Sequence, residues 1–533
     1  MRASSPNGSR LSRLPSLPGR QSGKPAATTT GYDQTAATTI VMHLFFTLSA
    51  VIGYVWLRPL FRWTDASLLR PMSVALLIAF GWSLWSWKRL TRSAFDPYGL
   101  FLIAAFLFNA GSAFLFVFGL NTSGIMILDL SFAPDVTLQT LLLVFLGLGA
   151  FHLGALIVAS GHAGRLFPGA TSIEEESPSA AHIRFVGWAL LIVSALPMAL
   201  LLKQSIGVVL NSGYFALYQQ DYATGLQAST QFLASFLVPG ALVLLAGSKT
   251  SRGGRLVSMG VILLYALVQL FLGSRFHAIG PVIAYVWLWH RVVRSIPRWL
   301  LLGASLFIFV VVFPVIAATR DTSGADRLSA GALVNAFSGI NNPAVAILFE
   351  TGGTMVTVAH TLTLVPSVRG YDFGAQYFFA GTSLVPNLFW TLHPAVAHGL
   401  ASDWLVWLVD PSFAAQGGGF GYSFIAEGYL NFGWFAPLFL GVVGFFFARL
   451  IFWGCRTGTP ARLAAVASFT GFVIFWARGE AIDVVRPLVW YSLVPYLLIQ
   501  FVAYIDRRRV APLTIGPLTL FGARTPQESE GPV

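Results

Sequence analysis

The sequence predicts an all-α polytopic membrane protein, and three observations carry that prediction. Of its 533 residues, 56% are hydrophobic and only 10% are charged, whereas about a quarter of a soluble domain is charged. Mean hydropathy is +0.71. The apolar residues form long continuous runs, not the alternation that an outer-membrane barrel requires. A soluble enzyme, a disordered chain and a fibre are thereby excluded. A single buried core of this size is excluded as well, because it would divide into domains with polar surfaces.

A span needs about 20 mostly apolar residues. Twelve segments qualify, at about 40–57, 71–87, 98–120, 136–160, 184–203, 229–248, 256–273, 277–290, 298–318, 424–448, 463–478 and 487–505. The eighth is short and the tenth is long enough to tilt. Ahead of them, residues 1–39 are rich in Ser, Pro, Gly and Arg without an apolar h-region. They read as a disordered cytoplasmic tail rather than a signal peptide, and 507–533 reads likewise. The single cysteine, Cys455, allows neither an intrachain disulfide nor a cysteine metal cluster.

Twelve spans place both termini on one side. With that side in the cytoplasm, inner segments hold 23 of the 33 Lys+Arg, as the positive-inside rule requires. The net charge of +12 therefore reports topology rather than a nucleic-acid surface. Arg58, Arg62 and Arg70 fall on the outer side, so either the first two spans are shifted or these arginines meet lipid headgroups. The outer side also carries the one long segment, 319–422, expected to be a large periplasmic loop. Its apolar stretches, such as Ala344–Phe349 and Leu384–Trp390, predict short helices on or dipping into the membrane surface. One of them is a candidate thirteenth span. No internal repeat is visible, which disfavours an inverted-repeat transporter.

Ionisable residues near membrane depth are costly, and each is a functional candidate. In the twelve-span arrangement four clusters lie at the outer ends of the later spans. Arg275 and His277 sit in Gly273-Ser274-Arg275-Phe276-His277; Arg320 and Asp321 follow the ninth span. Glu427 lies in the first turns of the tenth, and Arg478, Glu480, Asp483 and Arg486 form the last outer turn. Each has a plain structural reading beside the functional one: snorkelling for Arg275, an interfacial ring for His277, a boundary pair for Arg320 and Asp321, a knot of ion pairs for the last four. Glu427 is hardest to explain structurally, because a carboxylate beside an apolar run is desolvated. Together, several arginines and a few carboxylates on one face suit an anionic amphiphile. Arginine binds phosphate oxygens bidentately, and a carboxylate nearby can act as general base on an acceptor hydroxyl.

Other signatures are missing from the sequence: no P-loop, no His-Glu-x-x-His, no Asp-x-Asp pair. Glu174-Glu175-Glu176 reads as a solvated inner patch and Gly417-Gly418-Gly419 as a hinge. His360, His393 and His398 are too widely spaced to argue for a metal site.

Three places give the chain a family likeness: Gly273-Ser274-Arg275 closing an apolar helix, Gly421-Tyr422-Ser423 with Glu427-Gly428-Tyr429-Leu430-Asn431-Phe432-Gly433 opening a late one, and Ala477-Arg478-Gly479 near the end. In these, and in its outer loop, the chain resembles the Wzy-type oligosaccharide repeat-unit polymerases of bacterial O-antigen and exopolysaccharide pathways. The resemblance implies a GT-C-like fold in the inner membrane. It implies transfer of a growing glycan from undecaprenyl pyrophosphate onto a new lipid-linked repeat unit at the periplasmic face, releasing undecaprenyl pyrophosphate. It implies no nucleotide or metal cofactor, no nucleic acid, and a flippase and a chain-length regulator as neighbours. By the resemblance Arg275 and Arg478 contact pyrophosphate and Glu427 is a base or an orienting acid. Arg320 is a further phosphate contact by position alone, and His277, Tyr429, Glu480, Asp483 and Arg486 complete the expected substrate-binding set. An O-antigen ligase shares this layout and differs in its acceptor. A flippase would instead place charges deep in several spans.

Overall fold

A computed structural model describes residues 27–60, 64–120, 132–162, 166, 178–219, 222–314, 316, 331 and 342–510. Among them every regular element is helical, as an apolar chain without a strand period dictates. The main helices in chain order are α1 (Ala27–Ile52), α2 (Asp65–Thr91), α3 (Pro97–Phe118), α4 (Pro134–Ser160) and α5 (Ala180–Ser212). There follow α6 (Gly225–Ala246), α7 (Arg252–Phe271), α8 (Arg275–Val292), α9 (Arg298–Val312) and α10 (Pro343–Leu364). The last five are α11 (Ala375–Thr382), α12 (Ala401–Val409), α13 (Phe424–Arg456), α14 (Pro460–Trp476) and α15 (Ile482–Arg509).

Ten helices among the described residues are long and apolar enough to cross a membrane, and α9 and α14 are shorter apolar helices. The chain is thus an all-α polytopic membrane protein. Several helices run past the sequence-based spans. Residues 184–203 extend to Ala180–Ser212, and 424–448 to Phe424–Arg456. The eighth of these, α10, lies inside the segment that the sequence assigns to the outer loop. Its contacts nevertheless cluster at one level. Val345 packs on Leu115 near the end of α3, and Ser112 Oγ donates to Gly352 O. Thr361 Oγ1 meets Tyr422 Oη at 3.0 Å, just ahead of α13. The helix is broken at Gly353–Thr354, so both halves stay at that end of the bundle. The expected ninth span is helical through 314 and at 316, and residues 317–330, including Arg320 and Asp321, lie outside the described residues.

Glycines set the closest helix pairs. A Cβ on Gly154 of α4 would collide with Gly441 O of α13, and one on Gly444 with Phe151 O. The two backbones therefore touch where apolar lipid supplies no hydrophobic drive and dispersion must hold helices together. Phe101, Phe151, Phe424, Phe447 and Trp476 fill the space between α3, α4, α13 and α14 with ring contacts of 5.1–6.3 Å.

The bundle has two unlike ends. At one, Arg275 opens α8, Phe424 opens α13 and Trp476 closes α14. At the other, Phe95 ahead of α3 packs on His290 of α8 at 5.4 Å, and Trp87 meets Phe452 of α13 at 6.1 Å. The second end gathers Lys88, Arg89, Arg184, Arg449, Arg456, Arg462 and Arg507–Arg509. At the first, each of five arginines donates to the protein: Arg70 to Val117 O, Arg275 to Glu350, Arg369 to Asp372, Arg478 to Phe420 O and Arg486 to Ser383 O. Arg70 thus ties the start of α2 to the end of α3. Arg62 lies outside the described residues.

Candidate functional site

The first end is assembled around the start of α13. Ser423 caps that helix, its Oγ accepting from Ile425 N at 3.1 Å and donating to Asn109 Oδ1 at 2.5 Å. Asn109, fully buried on α3, donates in turn to Ala477 O at 2.9 Å. Three distant stretches of chain are thereby locked at one level, and a buried amide that satisfies both partners is costly to replace.

Glu427 is 1% exposed. Both its oxygens accept from Ala481 N, at 3.1 and 3.0 Å, so it clasps the turn that follows α14. Four residues later Asn431 donates to Glu427 O and accepts from Gly374 N, fastening the segment before α11 onto α13. Gly433 then ends the first helical stretch with φ +55°. The run from Ser423 to Gly433 thus has a physical reading at nearly every polar position. Tyr429 is buried among Tyr371 and Trp434 rings, 6.1 and 5.9 Å away.

Arg478 follows α14. Its Nη2 donates to Phe420 O at 3.2 Å and its guanidinium lies 6.0 Å from the Phe276 ring. Gly421, at φ +70°, makes room for it: a Cβ there would sit 2.7 Å from Arg478 Nε, and the backbone conformation itself favours glycine. Arg275, 3% exposed, pairs through both terminal nitrogens with the Glu350 carboxylate; Nη1 to Oε2 is 2.9 Å. It also lies 5.7 Å from the Phe313 ring. Arg275 and Arg478 line one narrow cleft with Phe276, Phe313, Glu350 and Thr351. Two arginines some two hundred positions apart in the sequence thus face one space.

A second cleft is lined by Glu427 and Glu480 with Gln376, Phe379, Leu400 and Ile482. Glu480 accepts from Ala401 N at 2.9 Å and Ser402 N at 2.8 Å, so it caps α12 from the side. Burial raises its pKa to about 7, while those donated hydrogen bonds oppose the rise.

The remaining expected residues are placed differently. His277 is exposed and its Nδ1 lies 2.7 Å from Ser274 Oγ; it lines neither cleft. Asp483 accepts from Glu480 N at 3.0 Å and caps a turn. Arg486 Nε donates to Ser383 O at 2.5 Å, holding α11 against the start of α15. Arg320 lies outside the described residues. Sequence reasoning missed Glu350, Asn109 and the pair Arg369–Asp372, 2.6 Å apart. Glu350 had a signal: it is the one carboxylate between Asp326 and Asp372 and it ends an apolar run. Asn109 had none, because an amide inside a span declares no partner.

The profile of the family described as O-antigen polysaccharide polymerase Wzy matches residues 39–508, a stretch containing every residue of both clefts. No curated protein and no solved structure matches. The family implies polymerase activity on a lipid-linked oligosaccharide within a membrane. From most of its length, therefore, the chain belongs to the O-antigen polysaccharide polymerase Wzy family.

Proposed function

We propose that the chain joins undecaprenyl-pyrophosphate-linked repeat units at the periplasmic face and releases undecaprenyl pyrophosphate. The observation that carries this reading is the convergence of Arg275 and Arg478 on one cleft. With Glu350 displaced from Arg275 and the crevice widened, two guanidiniums there can bind the oxygens of a pyrophosphate and stabilise the charge that builds on it as it departs. The acceptor hydroxyl attacks the anomeric carbon, the bond from that carbon to the pyrophosphate oxygen breaks, and the hydroxyl proton passes to a carboxylate. The second cleft holds two carboxylates for the acceptor side. Glu480, with its pKa near neutrality, suits a base operating at that pH. Glu427 orients the 477–481 turn that presents Arg478. A GT-C-like architecture and cytoplasmic termini accord with this reading, since 23 of 33 Lys+Arg then lie inside.

The test uses purified protein and undecaprenyl-pyrophosphate-linked repeat units without nucleotide. A ladder of glycan lengths is the expected result. Transfer only to an added lipid A core would make the enzyme a ligase. Arg275→Ala, Arg478→Ala and Glu427→Ala are expected to lower ladder formation by about 100-fold or more while each variant still elutes as folded protein. Wild-type ladders from all three would overturn the site.

A further inference from the structure

We propose that the arginine-lined cleft where α13 turns into α14 is a seat for the headgroup of an anionic phospholipid. It lies at the end of the bundle away from Arg275 and Glu427 and shares no residue with either cleft there. It therefore stands apart from the function proposed above.

The cleft measures about 430 Å³. One face of α13 supplies Phe446, Arg449, Leu450, Trp453 and Arg456, a spacing of three and four that aligns side chains on a helix. Gly458, at φ +65°, reverses the chain. Gly454 admits Val466 so closely that a Cβ there would collide with it, which holds the two helices together below the turn. Arg462, from the first turns of α14, is thereby brought to the opposite wall, where its guanidinium stacks 5.2 Å from the Trp453 ring. His162 closes the side from the end of α4, its ring 4.7 Å from Phe452.

Charge and shape point to one class of occupant. Among the described residues three arginines line the cleft and no carboxylate does, so it attracts an anion. The apolar part of the lining continues along α13 through Phe446, Val442 and Leu438, which are 64%, 50% and 72% exposed at intervals of four residues. A phosphate in the cleft would have its acyl chains lying along that stripe. Basic pockets between spans at a headgroup level are suited to such lipids, whereas a free phosphate would leave the stripe unused.

The test uses full-length protein in mild detergent, offered phosphatidylglycerol, phosphatidylcholine or undecaprenyl phosphate, with bound lipid counted by native mass spectrometry. Wild type is expected to retain phosphatidylglycerol about tenfold better than phosphatidylcholine. Arg456→Ala with Arg462→Ala is expected to weaken that retention by about 10- to 30-fold, roughly fivefold for each arginine lost. Because Arg462 also stacks on Trp453, the pair Arg449→Ala with Arg456→Ala, both exposed, is measured alongside and is expected to lose retention similarly. Arg252→Ala removes a charge at the same end outside the cleft and is expected to leave retention unchanged. Equal retention by both double variants and wild type would overturn the proposal, as would equal binding of phosphatidylcholine. Preference for undecaprenyl phosphate would overturn the assignment to a phospholipid, and displacement by millimolar inorganic phosphate would show an anion site with no lipid specificity.

Discussion

At Arg275 the deciding contact is Glu350. The guanidinium is almost wholly buried while the carboxylate side chain is 32% exposed, so solvent screens the pair from one side. Glu350→Gln keeps an acceptor on Arg275 and removes the charge. It is expected to lower stability by about 1–3 kcal/mol, below the cost of breaking a fully buried pair, as a shift in thermal unfolding would show. An unchanged transition would mean that the pair carries no net energy. Glu480 makes a different prediction. Its pKa rises from 4.5 to about 7 on burial, so the folded state binds the proton more tightly than the unfolded one. Stability therefore falls as pH climbs from about 4.5 through about 7. Thermal melts between pH 5 and 8 should show that slope, and Glu480→Gln should flatten it. Arg275, Glu427, Arg478 and Glu480 were all legible in the sequence as ionisable residues beside apolar runs. Glu350 was legible by the same rule. Asn109 was not, since its role consists of partners more than three hundred positions away.

The elements associate through backbone contact. Between α4 and α13, Gly154 and Gly444 leave no room for a side chain. Gly444→Val is expected to destabilise the bundle by about 1–3 kcal/mol or more, because overpacking forces backbone shifts. The control is Gly260→Ala on α7, where a Cβ meets nothing within 4 Å; it is expected to be neutral or to stabilise by up to about 1 kcal/mol. Equal melting of the two variants would deny the close packing its role. The helix α10 shows the limit of reading by composition. It is apolar enough to span, yet Leu115 lies near the end of α3 and Tyr422 just ahead of α13. Hydropathy reports how much apolar surface a segment has, and a break such as Gly353–Thr354 decides where that surface goes.

At the scale of the whole molecule, the two ends differ in how many arginines they carry. Five near Arg275 donate to the protein, and a larger basic set gathers at the far end, where Arg184 likewise donates to Gly247 O and Arg449, Arg456 and Arg462 line a cleft. The proposed orientation rests on this asymmetry under the positive-inside rule and can be checked directly. Cys455 is buried, so it gives little background in thiol labelling. Ala415→Cys, exposed beside the site, is expected to react with an impermeant reagent from outside the cell. Thr457→Cys, exposed at the far turn, is expected to react only after the membrane is opened. The reverse pattern would invert the proposed orientation and move the clefts to the cytoplasm.

The sequence by itself determined the fold class, the approximate place of most spans and the inventory of costly ions, because each of these is a local property of composition. It also carried the short motifs around Arg275, Glu427 and Arg478. The tertiary structure alone decided that Arg275 and Arg478 share a cleft, that Glu350 is the partner of Arg275, and that Glu427 clasps a turn while Glu480 lines the same space. It also decided that α10 packs at one end. These are contacts between residues from about 50 to more than 300 positions apart. Such contacts depend on how helices pack, and glycine seams and a buried Asn109 fix that packing without leaving a periodic trace in the chain.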